Sequence, residues 1–320
     1  MKKLNLFKLV LLSLTISLIG FSSCVEPLAE PEVNYSKVLT NHLKANSLDL
    51  NNMTTDWVID AAALNTAGVT NYYILDLRSA ADFAIGHIQG AVNTTMPNVL
   101  TAAQNAGTKP IIVACYTGQN AAVAHVALRL SGFNTCKILK WGMSGWNSKF
   151  DGITANISNQ ATGHANWSTT NTIKTPVVFS LPKITAIDTT GAGILKERVT
   201  FLLSQGFRGI NAADVLAAPG TFFINNYWTE ADVNAYGHIK GAYRLNETLT
   251  LSADGFKNLD PATTVVSYCW TGQTSALVSA YLTVLGYDAK GIKFGTNAMI
   301  NAALLKNKWT ASGNFPYVTD

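Results

Sequence analysis

The sequence predicts an α/β fold made twice, each half a parallel-sheet core flanked by helices. Three observations carry this. Residues 111–118 read IIVACYTG and residues 265–272 read VVSYCWTG, the same apolar run, cysteine, aromatic, Thr and Gly. Each is followed by Gln and a helix-like stretch ending in Gly-aromatic, at Gly132-Phe133 and Gly286-Tyr287. A GHI-x-GA box precedes each, at residues 86–91 and 237–242, so that His87 stands 28 residues before Cys115 and His238 stands 31 before Cys269. Self-similarity of this length is an architectural signal. Strands alternating with helices over short connections imply a parallel sheet covered on both faces.

Residues 1–23 lie outside the fold. Lys2, Lys3 and Lys8 precede an apolar stretch, residues 9–21, that holds no acid. This is the pattern of a secretory signal, too short to span a bilayer comfortably. Phe21-Ser22-Ser23-Cys24 resembles a loose bacterial lipobox, in which Cys24 is lipidated and becomes the mature N-terminus. The alternative is ordinary cleavage near Ser23, leaving a soluble secreted protein. Pro27, Pro31 and three glutamates make the next residues read as a tether.

A helix is expected over residues 36–45, and Thr55 reads as an N-cap for a helix over 56–64. A strand follows at 74–77, then a short helix at 80–85. Residues 111–114 form an apolar strand, 119–130 a helix and 136–139 another strand. The second half repeats the order: helices at 194–204 and 212–216, strands at 222–225 and 265–268, and a helix at 273–285. Residues 152–175, rich in Asn, Thr and Ser, read as a long, loosely structured connection. The expected division is signal 1–23, tether 24–35, first domain 36–151, linker 152–192 and second domain 193–320.

Composition narrows the function. Nearly half the residues (48%) are apolar, and about 295 mature residues suit two domains with cores of their own. Removing the three signal lysines takes the net charge from +4 to +1. No Lys/Arg run appears, so nucleic-acid binding has no support. Cys115, Cys136 and Cys269 remain after Cys24. An odd number in an exported protein does not make a complete disulfide framework. No CxxC or His/Cys cluster suggests zinc. Cys136 reads as a buried small hydrophobe.

Ile74-Leu75-Asp76-Leu77-Arg78, Asp82 and the box at 86–91 resemble the first signature of the rhodanese family. Residues 112–121, IVACYTGQNA, resemble its active-site loop, and Lys140-Trp141-Gly142-Met143-Ser144-Gly145-Trp146 its closing segment. The second half matches more weakly, through residues 237–242 and 269–275. The resemblance implies a sulfurtransferase in which Cys115, and with it Cys269, takes a sulfane sulfur as a persulfide and passes it to a thiophilic acceptor. It implies no cofactor and no metal. The substrate-binding loops would be Tyr116, Thr117, Gly118, Gln119 and Asn120, and Trp270, Thr271, Gly272, Gln273 and Thr274.

The residues themselves support such chemistry. A cysteine at the C-terminal end of a parallel strand sits where open α/β folds bind ligands. The loop that follows would wrap its N–H groups around the sulfur, and the helix N-terminus favours thiolate over thiol. Each loop has the six residues of sulfur-transfer members. The related phosphatases use a longer loop ending in Arg, where Asn120 and Thr274 stand here. Neither loop carries a cation, so the rims read as aromatic and neutral, and a donor less charged than thiosulfate fits them better.

His87 and His238 read as structural elements of the turn, and His125 as packing. Asp76 and Arg78 read as a fold-stabilising pair that Asn225, Asn226 and Tyr227 do not reproduce in the second half, where Met299 also replaces Trp146. The expected protein is exported and held to a membrane only through lipid on Cys24, with a small sulfur donor and an acceptor as partners. The rival is a non-catalytic binding module on the cell envelope.

Overall fold

Asn34, whose side chain accepts the Lys37 N–H, starts α1 (Tyr35–Ala45), and Asp49 caps α2 (Leu50–Met53). The computed structural model describes residues 33–170, 172–310 and 313–319; the expected signal, Cys24 and most of the tether lie outside them. Next come β1 (Val58–Ile59), α3 (Ala61–Ala67), β2 (Tyr73–Asp76), α4 (Ala80–Ile85), β3 (Val92–Asn93) and α5 (Val99–Ala103). The half closes with β4 (Ile111–Ala114), α6 (Gln119–Leu130), β5 (Lys137–Leu139) and α7 (Gly142–Trp146). One expected helix is corrected here. Val58 and Ile59 pair in parallel with Ile138 and Leu139, because two β-branched residues fit a sheet edge better than a helix start. The helix begins only after Asp60, and Thr55 instead donates its hydroxyl to the Asn51 carbonyl.

After β6 (Trp167–Ser168) the second half runs α8 (Gly191–Gln205), β7 (Gly209–Ile210), α9 (Ala212–Ala217), β8 (Phe223–Asn226), α10 (Glu230–Tyr236) and β9 (His238–Ile239). It ends with β10 (Tyr243–Arg244), β11 (Val265–Tyr268), α11 (Gln273–Val284) and β12 (Ala289–Ile292). The two main sheets are both parallel, ordered β1-β5-β4-β2-β3 and β7-β12-β11-β8-β10. The cysteine strand is central in each.

Side chains of β4 alternate between two cores, as strand geometry requires. Ile112 and Ala114 join an outer core with Ile74, Leu139, Met143 and Trp146. Ile111 and Val113 face a larger core that continues, without a break, into Ile194, Leu202, Leu277 and Tyr281 of the second half. Helices α6 and α11 lie in its middle and are buried along their length except at Asn120 and Thr274 in their first turns.

The halves also exchange segments. β6, from the stretch expected to be loose, pairs antiparallel with β9 across Trp167↔Ile239 and Ser168↔His238. Before it, the Ala161 N–H donates to the Met299 carbonyl at 2.9 Å. The C-terminal tail makes the matching return: Phe315 N–H donates to the Trp146 carbonyl, and His87 and Val318 exchange two backbone bonds of 2.9 Å. The linker is therefore ordered as a strap on the second domain, and the tail as a strap on the first. Asn, Thr and Ser in the sequence hid this, because its backbone pairs while its side chains remain polar.

Candidate functional site

The Cys115 sulfur lies at the end of β4, where the chain must turn back into α6. Gly118, at φ +80°, makes that turn, and Gly272 repeats it at +81°. The Cys115 Sγ accepts the N–H of Gly118 at 3.1 Å and of Ala121 at 3.4 Å. Cys269 Sγ accepts the Ser275 N–H at 3.2 Å, with the Ser275 hydroxyl 3.7 Å away. Ala121 and Ser275 stand one residue past the expected loops. They are donors because the first turn of a helix leaves its N–H groups unpaired.

A second layer braces each loop. Met143 N–H donates to the Cys115 carbonyl at 2.7 Å and Ser144 N–H to the Tyr116 carbonyl at 2.9 Å. Thr296 and Asn297 do the same for Cys269 and Trp270. This contact requires glycine: a Cβ on Gly142 would lie 2.2 Å from the Cys115 carbonyl oxygen, and one on Gly295 2.4 Å from that of Cys269. The first segment is legible in the sequence in full, its echo only at Met299. The signal was present as Lys140-Trp141-Gly142 against Lys293-Phe294-Gly295.

Two effects oppose each other at the Cys115 sulfur. Burial pushes the Cys115 thiol up, and this outweighs the N–H groups of Ala121, Thr117 and Gly118 that pull it down; the Asp76 charge adds to the rise. Only 4% of the residue is exposed, so lost hydration exceeds what the amides return. Burial therefore works against the pull of the amides toward thiolate. Among the described residues no Lys or Arg is a hydrogen-bond partner of either sulfur.

Arg78 is close but committed. It binds Asp76 through Nε at 3.0 and 3.1 Å and Nη2 at 2.6 Å, and Nη2 also donates to the Gly86 carbonyl. Its guanidinium lies 5.4 Å from the Tyr116 ring centre. Burial and the neighbouring Asp82 carboxylate raise the Tyr116 phenol, while the Ser79 hydroxyl, which donates to Asp82 at 2.5 Å, and the Tyr116 phenol lower the Asp82 carboxyl. In the second half Asn226 and Trp228 occupy the places of Asp76 and Arg78, and Trp228 packs on Trp270 at 4.3 Å. The rim there is not purely aromatic. Lys306 sits 4.9 Å over Trp270 while paired with Asp232 at 2.5 Å.

The remaining predicted residues lie as follows. Tyr116, Thr117, Trp270 and Thr274 are half-buried, Thr271 buried and Asn120 exposed. Gln119 and Gln273 are buried and reach into the opposite half. His87 Nδ1 bonds the Phe83 carbonyl at 3.0 Å and stacks on the Phe83 ring, while His238 Nε2 meets Thr172 at 3.3 Å. His125 Nε2 donates to the Met53 carbonyl at 2.9 Å. A cleft of about 820 Å³, lined by His42, Met53, Arg129 and Lys196 among others, lies at the far end of α6 and includes neither cysteine loop.

Comparison with known proteins follows the same two halves. A family model described as "Rhodanese-like domain" matches residues 56–149 and 225–300, more than half the chain. A rhodanese-related protein from Thermoplasma volcanium is 24% identical, over 28% of this chain and 89% of that one, with a TM-score of 0.26. A protein from Anabaena sp. is 27% identical, over 28% and 74%, also with a TM-score of 0.26. The thiosulfate sulfurtransferase from Pseudomonas aeruginosa is 15% identical, over 88% of this chain and 48% of that one, with a TM-score of 0.30.

Proposed function

This chain belongs to the rhodanese-like domain family, and from that premise we propose that it is a sulfurtransferase working through a persulfide on Cys115. The observation that carries the proposal is the cradle at the end of β4, where Gly118 and Ala121 aim their N–H groups at the cysteine sulfur. Such a ring holds an anionic sulfur without a side-chain cation. With thiosulfate, the Cys115 thiolate attacks the outer sulfur, the S–S bond breaks and sulfite leaves with the electron pair. An acceptor thiolate then takes the terminal sulfur and releases Cys115. Polysulfide donates in the same way: the thiolate takes a sulfane sulfur, an S–S bond breaks and the shortened chain leaves with the electron pair.

Cys269, cradled by Ser275, is the second candidate. Because burial pushes the Cys115 thiol up, persulfide formation should quicken with pH up to and beyond the ordinary thiol range near 9. We place the protein outside the cytoplasm, attached through lipid on Cys24. Palmitate labelling that survives Cys24→Ala would refute that attachment.

The test is the intact mass of the domains after thiosulfate or polysulfide, for wild type, Cys115→Ser and Cys269→Ser. A gain of one sulfur that vanishes in Cys115→Ser supports the assignment. No gain in any of them, with thiols still titratable, would instead favour the envelope binding module.

A further inference from the structure

The two cysteine loops touch, and the contact is made by the glutamine that the repeat shares. Gln273 is the first residue of α11, so its backbone belongs to the Cys269 loop. Its side chain, 2% exposed, crosses to the other half, where Nε2 donates to the Thr117 carbonyl at 3.0 Å. Gln119 makes the counterpart reach, its Oε1 accepting the Phe294 N–H at 2.9 Å, beside the brace of the Cys269 loop. The approach is close: a Cβ on Gly118 would fall 2.4 Å from Gln273 Nε2.

What Gln273 grips gives the contact meaning. The Thr117 carbonyl and the Gly118 N–H are the two ends of one planar peptide group, pointing in opposite directions. That N–H is the 3.1 Å donor to Cys115 Sγ. A hydrogen bond at the carbonyl end fixes the orientation of the plane and polarises its N–H. On these grounds we infer that Gln273 of the second domain is a positioning residue for Cys115 in the first. The deduction rests on the reading of the Cys115 loop as a thiol site, not on sulfur transfer itself. It gives the second domain a part in the first site even where Cys269 carries out no chemistry.

The experiment is alkylation of the Cys115 peptide by iodoacetamide, followed by mass spectrometry from pH 6 to 10, in wild type and Gln273→Met. Loss of the donor should slow Cys115 at pH 8 by about twofold to threefold and move its pH profile upward, since one polarising neighbour adds about 10–30% to a hydrogen bond. Should Gln273→Met not fold, Gln273→Asn keeps the amide but is too short to reach Thr117, and the same shift is expected. A fall in melting temperature with an unchanged Cys115 profile would overturn the inference, because a merely structural glutamine would do that. Alkylation needs no sulfur donor, so a wild-type protein that forms no persulfide would refute the sulfurtransferase and leave this result readable.

Discussion

Arg78 and Asp76 are almost wholly buried, at 0% and 1% side-chain exposure. Removing one partner strands a charge, at a cost of about 3–5 kcal/mol. Arg78→Ala should lower stability to urea by that amount, whereas Asp76→Asn with Arg78→Leu should cost much less. The second half supports this, since Asn226 and Trp228 fill the same places without charge. His125 argues about acid. Burial holds its imidazole down to about 3, from an ordinary 6.5. Its contribution to stability is full above pH 6.5 and is lost as pH falls toward 3, on the order of 4–5 kcal/mol in all. His125→Gln should flatten the dependence of unfolding free energy on pH between 6.5 and 4. Cys136, pushed up to about 12 by burial, should escape alkylation in the native protein at pH 8.

At the scale of elements, the strands and helices around each cysteine were legible because local signals agreed. β4 and α6 have the bounds expected from apolar runs and Gly punctuation. β1 was not legible, since two residues make no pattern and only pairing with β5 defines them. The straps were illegible for the same reason: their partners lie far away in sequence. Tail residues 313–319 cover Gly86, Trp146 and Phe150, with Trp146 Nε1 donating to the Pro316 carbonyl at 2.7 Å and Tyr317 packing edge-on to Phe150. Deleting residues 313–320 should therefore destabilise the first domain by about 2–4 kcal/mol, the worth of two half-buried aromatic side chains and their bonds. A urea midpoint unchanged by the truncation would refute the strap.

For the whole molecule the decisive feature is the shared core. α8, which leads into the second half, packs against α1 and α6 of the first as well as α11. The Asp49 carboxylate accepts the Leu251 N–H at 2.8 Å, and Tyr281 Oη donates to the Leu48 carbonyl at 2.8 Å. Separating the halves would expose the faces along which α6 and α11 meet each other. Calorimetry should show one transition with equal calorimetric and van't Hoff enthalpies. Two resolved transitions would mean that the cores are independent.

The sequence by itself determined the duplication, the parallel α/β class and the place of each cysteine at a strand-to-helix turn. Those features follow from local patterns, which short-range physics enforces: side-chain period, glycine at a left-handed turn and apolar strand content. The Asp76–Arg78 pair was legible too, two residues apart at a strand end. The tertiary structure decided everything that depends on desolvation or on distant partners. It alone raised the Cys115 thiol, because burial is a property of the packed core rather than of the loop. It alone turned Gln119 and Gln273 toward the opposite half, because no sequence spacing encodes which surfaces of two domains will meet.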